Sequence, residues 1–185
     1  MRATNLLTRR AGRLATAAAA LLLEGSAAGE PSGASQAKPL KCSSLAASAG
    51  RYEPAIEAAV REVAPVWPLP TSLIKAVVLI ESDFRPAAVS AAGAVGLMQV
   101  LPSNAQRLGF EPGALWFPAE NLRAGTRLLA VLFKHYRGDV ISALVAYNAR
   151  PRRRLAPLPD NGETPRYVRA VLRAWARFER CGARR

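Results

Sequence analysis

An all-α domain is the fold class this chain predicts, and two observations carry the prediction. Apolar residues recur at three- and four-residue intervals over successive stretches bounded by proline, glycine or a short polar residue, and no pair of segments alternates as strands would. Tyr52 to Val66 places Ile56, Ala59, Val60 and Val63 on one face and stops at Pro65 and Pro68. Thr71 or Ser72 then caps a second helix that buries Ile74, Val77, Val78 and Leu79 and runs through Glu81. Residues 85 to 99, rich in Ala and Gly, read as an irregular connection. Pro102 opens a short helix to Leu108, since proline suits the first turn. Asn121 to Tyr136, with Leu122, Leu128, Leu129, Leu132 and Phe133, is a long helix ended by Gly138, and Asp139 caps the next, Val140 to Asn148. Thr164 caps a last amphipathic helix whose apolar side holds Tyr167, Val168, Val171, Leu172, Trp175 and Phe178.

The chain's 185 residues accommodate one domain behind an export signal. Arg2, Arg9, Arg10 and Arg13 form a positive start, Leu14 to Leu23 is an apolar core, and Ser26-Ala27-Ala28 offers small residues for cleavage near Ala28. The apolar core is short for an uncleaved membrane anchor. Residues 1–28 are thus read as a signal peptide, 29–50 as a flexible leader rich in Ser, Ala, Gly and Pro, 51–180 as the folded domain and 181–185 as a basic tail. This predicts an exported protein of the periplasm or cell envelope, with no stable membrane insertion of the mature chain. Cys42 and Cys181, the only cysteines, flank the domain, and an even count in an exported chain favours a disulfide over two free thiols. Closing so long a loop contributes on the order of 4–5 kcal/mol in the chain-entropy account.

Loss of the signal, with its four arginines and Glu24, takes the formal charge from +13 to +10. The excess gathers at the end, where eleven arginines from Arg150 onward face Asp160, Glu163 and Glu179. Such a surface attracts polyanions. Envelope polymers supply them outside the cytoplasm, and no motif for specific nucleic-acid reading is present.

Few residues can carry chemistry. His135 is the only histidine and sits between Lys134 and Tyr136 at a helix end, which suits a surface or capping role better than a metal site. No metal or cofactor is expected, and Gly93-Ala94-Val95-Gly96 lacks the lysine and spacing of a phosphate loop, so its glycines serve a tight turn and close packing. Glu81 is different. It closes a strongly apolar helix, where the helix dipole disfavours an anion, so a role in proton transfer competes with that of a solvated charge. Asp83 is no second catalytic carboxylate, because two helical residues turn through about 200°.

Together the segments Glu81-Ser82-Asp83-Phe84-Arg85-Pro86-Ala87-Ala88-Val89-Ser90, Gly93 to Pro102 (GAVGLMQVLP), Ala146-Tyr147-Asn148 and Glu163-Thr164-Pro165-Arg166-Tyr167-Val168 resemble, in that order, the signature of the soluble lytic transglycosylase catalytic domain. The resemblance covers roughly Tyr52 to Phe178. It implies a lysozyme-like helical domain with a substrate cleft for peptidoglycan glycan strands. It further implies that Glu81 is the single acid and base, protonating the oxygen between N-acetylmuramic acid and N-acetylglucosamine. Glu81 would then take the proton of the muramyl C6 hydroxyl, which closes on C1 to leave a 1,6-anhydromuramyl end. Donation at neutral pH would require a raised pKa, favoured by burial beside apolar residues such as Met98. By the same resemblance Ser90 and Tyr167 orient Glu81, Met98 forms part of the cleft wall, and Gln99, Tyr147 and Asn148 line it.

Two positions depart from the family pattern. Arg150-Pro151 stands where a glycine is usual soon after Ala-Tyr-Asn, and Asn104 where a threonine is common, which predicts altered substrate handling with the chemistry kept. A hydrolytic muramidase and a non-catalytic peptidoglycan-binding protein are the competing readings. The short length suits a local role beside a secretion system, pilus or other envelope-spanning assembly.

Overall fold

The computed structural model describes residues 42–149 and 162–183. The helices are α1 (Cys42–Gly50), α2 (Glu53–Val63), α3 (Thr71–Ser82), α4 (Pro102–Arg107), α5 (Pro118–His135), α6 (Val140–Ala149) and α7 (Glu163–Gly182), with a 3-10 helix, Pro112–Trp116, between α4 and α5. Among the described residues there is no strand, only isolated antiparallel bridges pairing Val95 with Val89 and with Val100. No helix among them is long and apolar enough to cross a membrane.

The α3 helix is apolar on nearly every side, and Leu73, Ile74, Ala76, Val77 and Val78 are all buried. A helix of that kind belongs inside. The longest helix, α7, lies along it and buries the apolar side expected from the sequence, Trp175 fully. Each such large side chain removed from water contributes about 1.5–3 kcal/mol. Polar groups fix the register of the pair: the Trp175 Nε1–H donates to Ser72 Oγ at 3.0 Å, and the Ser72 hydroxyl donates to Glu179. Across the core α2 packs on α5, where Arg123 joins Glu62 of α2 to Glu120 of its own helix at 2.7 and 2.9 Å.

Several helix boundaries differ from the sequence expectation. Residues 42–50, expected to belong to a flexible leader, form α1. Leu45 and Ala49, one turn apart, enter the core, and Cys42 is bonded to Cys181 at a Cα separation of 5.6 Å. That bond joins α1 to the last turn of α7, so the helix continues through Cys181, where a tail was expected. The α5 helix starts at Pro118, three residues before the expected Asn121, because proline fits a first turn. Neither Thr71 nor Thr164 caps a helix: Pro70 and Gly162 hold the cap positions, and both threonines lie inside the first turn. Asp139 does cap α6, its Oδ1 accepting from the Ile141 and Ser142 backbone at 3.0 and 3.4 Å. The signal, residues 29–41 of the leader, and Arg150-Pro151 lie outside the described residues.

Candidate active site

Glu81 sits half-buried in the last turn of α3, and that turn is ended by an unusual backbone. Asp83 and Phe84 both take positive φ, 51° and 58°, which side chains other than glycine adopt at a cost of about 1–2 kcal/mol each. Burial of Phe84 and its stacking on Tyr52, with ring centroids 6.3 Å apart, offset the cost. Asp83 lies exposed at the C-cap, just beyond the helix end.

The connection after α3 builds one wall. Its turn from Ser90 to Ala94 closes by paired bonds, the Ser90 N–H donating to Ala94 O at 3.0 Å and the Ala94 N–H to Ser90 Oγ at 3.1 Å. Gln99, at φ 47°, uses its side-chain amide N–H groups on the Ala88 and Gly96 carbonyls, both at 3.0 Å, which leaves its oxygen as the acceptor. Ser82 donates to Leu97 O at 2.8 Å and so ties the helix carrying Glu81 to this wall.

A residue the sequence reading passed over holds the wall in place. Asn121 of α5 is fully buried: its Oδ1 accepts from the Met98 N–H at 2.8 Å, and its Nδ2 donates to Val95 O at 2.8 Å and Leu115 O at 3.0 Å. Gly96, at φ 78°, lets the chain pass this amide, since a Cβ there would lie 2.3 Å from Asn121 Nδ2. An amide on the otherwise apolar face of a helix was the available signal. Close packing was the expected purpose of these glycines.

Glu81, Ser90, Gln99, Tyr147 and Asn148, five of the residues singled out by sequence, line one cleft of about 490 Å³. Glu163 and Thr164, at the start of α7, complete its rim; the sequence had assigned neither of them to the cleft. Met98 does not line it. Its side chain is fully buried and turned to α5, where Gly125 leaves room for it and a Cβ added at that glycine would meet Met98 Cβ and Sδ at 2.6 Å. The expectation that Met98 forms cleft wall is therefore corrected; only its backbone takes part, the carbonyl accepting from the Tyr147 hydroxyl at 2.8 Å.

Tyr147 and Tyr167 bring two buried phenols to Glu81. Burial first, and then the charge of Glu81, hold the Tyr147 pKa well above 10. The same causes act on Tyr167, followed by the influence of Tyr147 and by hydrogen bonding to Glu81. Tyr167's hydroxyl finds no partner at ordinary hydrogen-bond geometry, so its interaction with Glu81 is a loose one. Both phenols therefore stay neutral, and the Tyr147 proton is committed to the Met98 carbonyl. Among the described residues no group of three or more His, Cys, Asp or Glu side chains could hold a metal ion, and His135 lies exposed against the edge of Tyr136.

The sequence profile of the transglycosylase SLT domain matches residues 59–167, which include every cleft residue named above. The chain belongs to the transglycosylase SLT family. Among its relatives, membrane-bound lytic murein transglycosylase C of Haemophilus ducreyi is 41% identical over 86 residues, 42% of this chain and 23% of that protein. A transglycosylase of Enterobacteria phage PRD1 is 40% identical over 76 residues, 41% of this chain and 28% of that one. The chain thus spans about a quarter of the length of these curated relatives. An inactive mutant of the lytic transglycosylase Slt of Pseudomonas aeruginosa superposes with a TM-score of 0.56 at 24% identity, over 77% of this chain and 31% of that one. The 70 kDa soluble lytic transglycosylase of Escherichia coli does so at 0.52 and 23%, with the same coverage. At these identities the two solved structures bear on the fold: this SLT domain has the helical, lysozyme-like architecture expected from its sequence.

Proposed function

We propose that this chain is a peptidoglycan lytic transglycosylase that cleaves the β-1,4 bond between N-acetylmuramic acid and N-acetylglucosamine with Glu81 as its only general acid and base. The observation that carries the reading is the meeting of Glu81 with the buried phenols of Tyr147 and Tyr167 at an open cleft. One carboxyl placed on a rigid helix end can protonate a leaving oxygen and then, as carboxylate, accept a proton from the sugar's own C6 hydroxyl. The neutral Tyr167 phenol beside it can donate to the carboxylate without competing for its charge state, while the Tyr147 proton is committed to the Met98 carbonyl. The relatives named as lytic murein transglycosylase C support the substrate class.

Ser90 and Tyr167 act in this account as positioning residues, and Gln99, Tyr147 and Asn148 as contacts for the glycan. The Cys42–Cys181 bond supports the reading of an exported protein that works in an oxidising compartment such as the periplasm or envelope. A secretion, pilus or other envelope assembly would be the partner that directs it to a place on the wall.

The test is release of soluble muropeptides from purified murein by the protein and by Glu81→Gln. Loss of the acid should lower release by about 10²–10⁴-fold. Equal release by the variant would remove Glu81 from the mechanism, and no release by either would favour the non-catalytic wall-binding reading.

A further inference from the structure

The longest helix turns a row of arginines away from the core. Arg166, Arg169, Arg173, Arg177 and Arg180 of α7 recur every three or four residues, so they fall within about 80° of arc and extend over about 21 Å. Arg177 is half-buried and the other four are exposed, because the opposite side of the helix, with Val171, Leu172, Trp175 and Phe178, is committed to the core. No anion interrupts the row. Glu179 is engaged on α3, where it accepts from the Ser72 hydroxyl, and Glu163 stands before the first arginine. Elsewhere Arg61 and Arg123 are matched to glutamates, but among the described residues none of Arg169, Arg173, Arg177 and Arg180 is paired with a carboxylate. Like charges three and four residues apart on a helix repel one another, so the free protein bears a cost that an anionic partner would relieve.

The shape of the row selects the partner. It is a straight ridge, so a ligand that meets all of it at once must present closely spaced anions in one plane. A bilayer containing acidic phospholipid does so, and guanidinium forks bind its phosphates through paired hydrogen bonds. A murein strand offers its carboxylates singly, on separate stems. Insertion is not needed: the apolar side of α7 is already buried, and no helix among the described residues is long and apolar enough to cross a membrane. We propose that the arginine row of α7 is an electrostatic docking surface for a membrane rich in acidic phospholipid. Because Glu163 and Thr164 at the start of α7 line the cleft, docking would set the cleft at one end of the contact. The proposal is independent of the chemistry assigned to Glu81.

The experiment is co-sedimentation with vesicles of phosphatidylcholine, with and without phosphatidylglycerol, at low and high salt. Three double variants are compared with the wild type: Arg169→Gln/Arg173→Gln, the charge-keeping Arg169→Lys/Arg173→Lys, and Arg107→Gln/Lys134→Gln, which removes the same charge from exposed positions on α4 and α5. Urea midpoints establish that each is folded. The wild type should bind only the phosphatidylglycerol vesicles and release them at high salt. The glutamine pair in the row should bind about 25-fold more weakly, about fivefold per arginine, while the lysine pair keeps most of the affinity and the pair on α4 and α5 loses less than about threefold. Failure of the wild type to bind, or equal weakening by the two glutamine-containing pairs, would overturn the proposal. So would a loss confined to binding of purified murein, which would assign the row to the wall.

Discussion

Gly96→Ala is the substitution that asks most of the cleft wall. The added Cβ would lie 2.3 Å from Asn121 Nδ2, 2.7 Å from Asn121 Cγ and 3.1 Å from the Leu115 carbonyl, at a backbone φ of 78°. The backbone alone costs about 1–2 kcal/mol in a non-glycine residue. Relief of the contact must move the Asn121 amide, which holds Met98 N–H, Val95 O and Leu115 O. Loss of one of these buried bonds adds about 1–3 kcal/mol, for a total of about 2–5 kcal/mol. Equilibrium urea unfolding measures it, with Gly93→Ala as the comparison: Gly93 shares the positive φ, 74°, but has nothing within 4 Å of its added Cβ, so only the backbone cost should appear. The double variant Gly96→Ala/Asn121→Ala should be less stable than Asn121→Ala by only the backbone cost of about 1–2 kcal/mol, because the clashing amide is gone. Equal losses at Gly96 and Gly93, or full additivity in the double variant, would refute Asn121 as the keystone.

Two further predictions concern the whole domain. Cys42→Ser/Cys181→Ser should lower stability by about 4–5 kcal/mol, since the bond spans a sequence separation of 139 residues; urea unfolding with and without reductant measures it, and a loss below about 1 kcal/mol would contradict the account. Above pH 10 an unfolded chain releases the phenolic protons of Tyr147 and Tyr167 while the folded chain retains them, so the unfolded state binds fewer protons and stability declines. The contribution is whole below pH 10 and is lost at about 1.4 kcal/mol per pH unit for each phenol above it, until the raised folded-state pKa is passed. Urea midpoints across this range should therefore fall less steeply in Tyr147→Phe than in the wild type, and equal slopes would count against the buried phenol.

The helices were legible because their apolar spacing is a local property of the chain. Ile56 with Val63, and Tyr167 with Val171 and Trp175, face the core as their positions require. What escaped depends on partners distant in sequence. The α1 helix has little apolar surface beyond Leu45 and Ala49, and its place depends on α7 and on a bond to Cys181. Met98 was expected in the cleft, but Gly125, on another helix, opens the space that draws its side chain inward. Asn121 was hidden for a related reason: a lone amide beside Leu122 reveals its task only when the Val95–Met98 wall folds over it. The catalytic candidate and most of the residues lining the cleft were legible through motifs.

The central claim is that Glu81 cleaves the glycan by an internal attack, with the muramyl C6 hydroxyl in place of water. Digestion of purified murein in water enriched with heavy oxygen, followed by mass spectrometry of the released muropeptides, tests it most directly. The account predicts unlabelled 1,6-anhydromuramyl ends, absent when Glu81→Gln replaces the wild type. Heavy oxygen at new reducing ends would contradict it and assign the cleft to a muramidase.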